Sequence, residues 1–288
     1  MSGSRSSEGH GNDRLRARRR LRRRRILVSL LILFLLLLAG IVYELNQSAV
    51  RISNIVVYGA DQSYADIAST AMWGSYLGII PRNSTFFFPG RRIRSDIIAL
   101  HPDIAAVSLF RNGFTGLSIK VNDRVAIARW CGASSETRSD LGNSGLRSDL
   151  VSGCYVFDAN GFIFAAAATT TNTINNFTLY APLENQPLEP LRATVAHAEE
   201  LPSIFDFARQ LDTLGSPTAH IILRGDEVDD YLISGTRVTY VLGNEQNAFS
   251  ALVSAHGNFN LANGSLEYVD LRFNGKVYLK KKAVDSKQ

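Results

Sequence analysis

The chain has 288 residues, 45% of them hydrophobic, with 31 Lys or Arg against 26 Asp or Glu and a net charge of +5. That charge is unevenly spread: residues 1–25 hold ten arginines and two acids, while the other 263 residues hold 21 basic and 24 acidic residues. The bulk of the chain therefore has no basic field for nucleic acid and is too apolar for a disordered polymer.

Residues 1–13 are Ser, Gly and charge, and we expect them to be disordered. Nine arginines follow between Arg14 and Arg25, densest at Arg18, Arg19, Arg20, Arg22, Arg23, Arg24 and Arg25. Then Ile26 to Tyr43 runs without a charge. In helix those residues would rise about 27 Å, close to the roughly 30 Å hydrocarbon thickness of a bilayer. Glu44 to Ala49 carries no basic residue, so the charge asymmetry predicts a cytoplasmic N-terminus and an extracytoplasmic remainder. A cleavable signal would have a shorter apolar run, and nucleic-acid arginines would not abut a span; we read an uncleaved, single-pass anchor over 26–45, in the plasma membrane.

Beyond it, RISNIVVYG reads as a strand with Ile52, Ile55 and Val57 apolar, and residues 63–73 as an amphipathic helix after Asp61 and Ser63. GSYLGIIPRNSTFFFPG is turn-rich, and Phe86, Phe87 and Phe88 suit either a core contact or an exposed patch for a membrane or partner. RRIRSDIIALHP reads as a second helix, with Ile93, Ile97 and Leu100 on one stripe. Two strands follow, reversing at Asn112-Gly113.

Cys131 and Cys154 lie on the oxidising side and bracket a polar loop between two β-rich runs. They predict a disulfide, with two unpaired thiols as the other reading. YVFDANGFIF is a hairpin turning at Ala159 to Gly161, with Asp158 as turn cap and less plausibly as a catalytic acid. Residues 166–198 read as a long surface connection. LPSIFDFARQLDTLG is a helix with Ile204, Phe207, Ala208, Leu211 and Leu214 on one face. Three strands, a helix at EQNAFSALVSAHGN and a last strand pair turning at Asn274-Gly275 complete the pattern. The expected fold class is α+β.

No P-loop, G-x-G-x-x-G after a strand, H-E-x-x-H or G-x-S-x-G stands in the sequence, and His101, His197, His220 and His256 lie far apart. We expect no enzyme, cofactor, metal or small-molecule substrate.

The opening Ile52 to Gly59, the stretch LHPDIAAVSLFRN and LSIKVNDRVAIARW, with Asp123, Arg124, Ala126 and Trp130, resemble the POTRA domain of the FtsQ/DivIB cell-division family. Phe114 and Val125 stand where that family commonly has proline. Asp158 and Gly161 fit a hairpin of the family, and Tyr268-Val269-Asp270-Leu271-Arg272-Phe273 looks like the ending of its β domain. The resemblance implies a cytoplasmic tail 1–25, a POTRA-like βααββ module over 50–123, an FtsQ-type β domain with two flanking helices over 124–282, and a tail 283–288. It also implies a divisome scaffold that contacts FtsL/FtsB (DivIC)-type bitopic proteins; a membrane-anchored cell-wall hydrolase or transferase is the alternative. The partner surface is expected at Phe273, Lys276, Val277, Tyr278 and Leu279, because a terminal strand leaves an edge onto which a partner strand can add. Lys280, Lys281 and Lys282 would guard that edge or select an acidic partner.

Overall fold

The computed structural model describes residues 10–132, 153–168, 172–185 and 187–282, with side chains from residue 22 onward. Helix α1 spans His10–Leu45, so the helix expected over 26–45 continues back through the arginine block. The disorder expected at 1–13 lies mostly outside the described residues, as do the side chains of Arg18, Arg19 and Arg20. Arg22–Leu45 is long and apolar enough to cross a membrane, and nothing in the structure buries it. Its leucines from Leu27 to Leu38 and Phe34 stand about half exposed on every side, an arrangement that lipid rather than water would solvate, and only Leu45 at its end is buried.

Contacts divide the chain into two compact units, Met1–His101 with Ala106–Asn122, and Pro102–Ala105 with Asp123–Gln288. In the first, α1 leads through a short turn to β1 (Asn54–Tyr58), α2 (Ser63–Ala71), the two-residue strands β2 (Ser75–Tyr76) and β3 (Ile80–Pro81), and α3 (Gly90–Leu100). Strands β4 (Ile104–Asn112) and β5 (Gly116–Asp123) follow. The sheet order is β1-β5-β4, with β1 parallel to β5. Gly113, at φ +71°, takes the left-handed position of the β4–β5 reversal. Tyr64, Ala68 and Ala71 of α2 and Ile93 and Ile97 of α3 are buried, as amphipathic spacing requires. Leu100 is not: it is 62% exposed at the last residue of α3, which corrects its place on the stripe.

The second unit is a nine-stranded mixed sheet in the order β14-β13-β12-β11-β10-β9-β6-β7-β8. Its members are β6 (Ala128–Trp130), β7 (Tyr155–Phe157), β8 (Ile163–Ala166), β9 (Thr178–Tyr180), β10 (Thr218–Arg224), β11 (Glu227–Leu232), β12 (Arg237–Val241), β13 (Leu266–Asp270) and β14 (Tyr278–Lys281). Helices α4 (Leu201–Thr213) and α5 (Glu245–Ala255) supply its cover: Ile204, Phe207, Ala208 and Leu211 of α4 and Ala248 and Leu252 of α5 join the core. Pairing places Trp130, Leu179, Ile221, Asp230, Val238, Val269 and Leu279 opposite one another across seven strands. Except for Asp230, that row is apolar, and only Leu279, at the sheet edge, is exposed.

One expectation is overturned here. Residues 166–198 are not merely a surface connection: β9 lies inside them, parallel to both β6 and β10, and joins the two halves of the sheet. Phe177, Leu179, Ala181 and Val195 from that stretch are buried in the core.

Candidate partner-docking edge

Strand β13 leaves the sheet at Asp270, and the chain reverses before returning as β14. Leu271 donates its N–H to Thr239 O at 2.8 Å, Lys276 donates to Phe273 O at 3.0 Å, and Gly275 takes φ +68°. β14 then pairs antiparallel with β13, Asp270 opposite Tyr278 and Tyr268 opposite Lys280. It is the last strand of the sheet, and among the described residues nothing pairs with its outer side.

The direction of each N–H follows from its neighbours. Leu271 points its N–H toward β12, so by alternation Asp270 and Tyr268 face β14; Lys282 donates back to Ser265 O at 2.9 Å, so Lys280 and Tyr278 face β13. The backbone groups of Leu279 and Lys281 therefore point outward. The Tyr278 N–H thus belongs to the internal ladder, and the outward donor between the aromatic turn and the lysines is that of Leu279.

The expected surface residues cluster at this place. Phe273 is 52% exposed, Tyr278 48% and Leu279 39%; Lys276 is exposed, and Val277 is partly buried against the core. The Phe273 and Tyr278 rings meet edge to face at 5.2 Å. Beside the turn, a groove lined by Asn247, Ser250 and Ser254 of α5 and by Asn274 and Val277 offers hydrogen-bonding side chains along the same border.

A charged network holds the turn. Arg272 donates Nε–H to Asp270 Oδ1 at 3.0 Å and Nη2–H to Asp270 Oδ2 at 2.7 Å, and its Nη1–H reaches Glu227 Oε1 on β11 at 2.6 Å. The guanidinium fork holds the Asp270 carboxyl below the ordinary aspartate value, and the two carboxylates raise Arg272. Lys280 donates to Glu267 at 2.9 Å, which raises its pKa. Glu227 and Glu267 carry no local sign of these roles, since each meets its partner only through strand pairing.

Two other polar features shape the second unit. Cys131 and Cys154 form a disulfide directly beyond the paired residues Trp130 and Tyr155; most of the loop between the cysteines, residues 133–152, lies outside the described residues. Asp158 Oδ1 accepts the N–H groups of Asn160 at 2.9 Å and Phe162 at 3.1 Å, and its other oxygen pairs with Arg124, a turn-capping role. Gly161 completes that turn at φ +72°, where a Cβ would meet Ala198 Cβ at 2.8 Å. Among the described residues no group of three His, Cys, Asp or Glu side chains is placed to hold a metal ion. No family model matches the chain, and no curated protein matches it.

Proposed function

We propose that the chain is a non-enzymatic, bitopic scaffold of the FtsQ/DivIB type, which recruits septal cell-wall synthesis through protein contacts. α1 would anchor it in the plasma membrane, with the Arg18–Arg25 block cytoplasmic by the positive-inside rule and both compact units extracytoplasmic. The order β1-α2-α3-β4-β5 supports a POTRA-like first unit, with β2–β3 as an added hairpin. The expected partners are FtsL/FtsB (DivIC)-type bitopic proteins, and Phe273, Lys276, Val277, Tyr278 and Leu279 would form the docking edge.

The observation that carries this reading is the uncovered outer side of β14. Its core-facing Leu279 continues the buried apolar row one strand beyond the last neighbour that could cover it. A partner strand added there would satisfy the outward N–H and C=O groups of Leu279 and Lys281 and shield the Leu279 side chain. The lysines favour an acidic partner segment, with a salt dependence expected of exposed charges.

The test is capture of such a bitopic partner by the full-length chain in detergent. Leu279→Pro removes an outward donor without removing an internal one and should abolish capture with β content intact by circular dichroism. Tyr278→Pro should instead break the β13–β14 ladder. Undiminished capture by the Leu279→Pro chain would place the interface elsewhere.

A further inference from the structure

Five exposed apolar side chains of the first unit lie on the segment between α2 and α3, which meets the end of α1. Trp73 is 85% exposed, Leu77 97%, Ile79 53%, Phe86 48% and Phe87 50%. Leu77 is the least suited to water, since it stands alone at the tip of the β2–β3 hairpin. Leu77 and Gly78 take φ +51° and +73° in the turn closed by Ile79 N–H to Tyr76 O at 3.0 Å. Such a turn favours Asn or Gly at its first central position, so a leucine there is unfavourable for the backbone as well as for solvation.

Two attachments fix these side chains to the membrane helix. Asn46, just past α1, donates its side-chain N–H to Ile79 O at 3.3 Å, and Val50 O accepts the N–H of Thr85 at 3.0 Å. Thr85 is buried and its hydroxyl donates to Phe114 O, so the segment carrying Phe86 is held by the fold. Phe86 lines an apolar groove with Leu37, Gly40, Ile41, Leu45 and Val50. Leu37, Gly40, Ile41 and Leu45 belong to the apolar helix itself.

We propose that the β2–β3 hairpin together with Phe86 and Phe87 docks into the leaflet from which α1 emerges, with lipid as its occupant; this rests on the reading of α1 as a membrane span. A bilayer that surrounds Gly40 and Ile41 must also receive the Phe86 ring in the same groove. Trp73 and Tyr76 then sit at headgroup level, where amphipathic rings concentrate. The Arg82 guanidinium, 5.2 Å from the Tyr76 ring centre, brings a positive charge toward the lipid phosphates. The hairpin thus adds a second, shallow membrane contact that limits the rotation of the first unit about α1.

The test uses the full-length chain in nanodiscs of phosphatidylethanolamine and phosphatidylglycerol. The chain has two tryptophans, and Trp130 is only 3% exposed, so subtracting the spectrum of a Trp73→Phe chain isolates Trp73. Trp73 emission should be blue-shifted, shielded from acrylamide, and quenched several-fold more than Trp130 by lipids brominated high on the acyl chain. Combined Leu77→Ser, Ile79→Ser and Phe86→Ser changes should return it to the hydrated position. The proposal is overturned if Trp73 stays hydrated in loaded discs, if the triple change leaves its shielding intact, or if it is shielded only when a second membrane protein is present. A chain that never loads the discs refutes the span itself, which is a separate and recognisable failure.

Discussion

Asp230 is the one ionisable member of the apolar row that crosses the second unit, and replacing it should make stability less dependent on pH. It sits on β11 between Ile221 and Val238, with no solvent exposure, and among the described residues neither carboxyl oxygen has a hydrogen-bond partner. The Tyr240 hydroxyl interacts with it without reaching bonding geometry. Burial pushes the carboxyl well above the ordinary aspartate value, and the neighbouring Asp229 pushes it the same way. Above the unfolded aspartate pKa of about 3.9, the unfolded chain has released this proton while the folded chain keeps it. Folding stability contributed by Asp230 is therefore present at low pH and declines as pH rises toward the folded value, by at most about 1.4 kcal/mol per pH unit for one proton. Asp230→Asn removes that decline, although the buried amide costs about 1–3 kcal/mol of its own for unmade hydrogen bonds. The assay is urea unfolding of the full-length chain in detergent, followed by near-ultraviolet circular dichroism between pH 4 and 8. The stability of the variant relative to the native chain should climb with pH. A difference constant across that range would mean that Asp230 is already ionised in the fold, and the reasoning would fail.

Three further outcomes concern the polar network and the disulfide. Arg272→Ala leaves the largely buried Asp270 without its fork and should cost about 1–3 kcal/mol; the Asp270 carboxyl, followed by NMR, should titrate at higher pH than in the native chain. Because the folded Asp270 pKa is depressed, its stabilisation is present above the unfolded value and is lost as pH falls through the folded one, so Asp270→Asn should flatten acid unfolding. Reduction of Cys131–Cys154, which are 23 residues apart, should lower stability by about 3 kcal/mol through chain entropy; an unshifted urea midpoint under reductant would contradict this.

What could be read from the sequence depended on how far each feature's partner lies along the chain. The long apolar helix, helix α4 and the reversals at Asn112-Gly113 and Asn274-Gly275 each declare themselves in a local run of residues, and the structure has all of them. β9 does not, because three residues between Phe177 and Ala181 show no usable period and both of its neighbours are distant in sequence. Leu100 repeats correctly on the stripe of α3, yet the helix ends there, so periodicity without a boundary misplaces it. The sheet edge at β14 is legible as a place but not in its register. Which N–H of β14 points outward depends on Leu271 bonding Thr239 and Lys282 bonding Ser265, contacts that span 32 and 17 residues.

That register bears on how an edge remains specific without aggregating. Leu279 and Tyr278 face opposite sides of the sheet, Leu279 beside the buried Val269 and Tyr278 beside Asp270. An incoming strand must therefore place an apolar residue on one side and tolerate the Asp270–Arg272–Glu227 network on the other, and a slip of one residue reverses both demands. Lys280 is held by Glu267 and packs 5.9 Å from the Tyr268 ring, so it stands on the network side and not on the side of Leu279. A second copy of the chain offering its own β14 in antiparallel register would bring lysines of both copies toward one edge. Like charges oppose that pairing, while an acidic segment meets no such cost. Self-association is disfavoured by the same side chains that, under the proposed function, would favour an acidic partner.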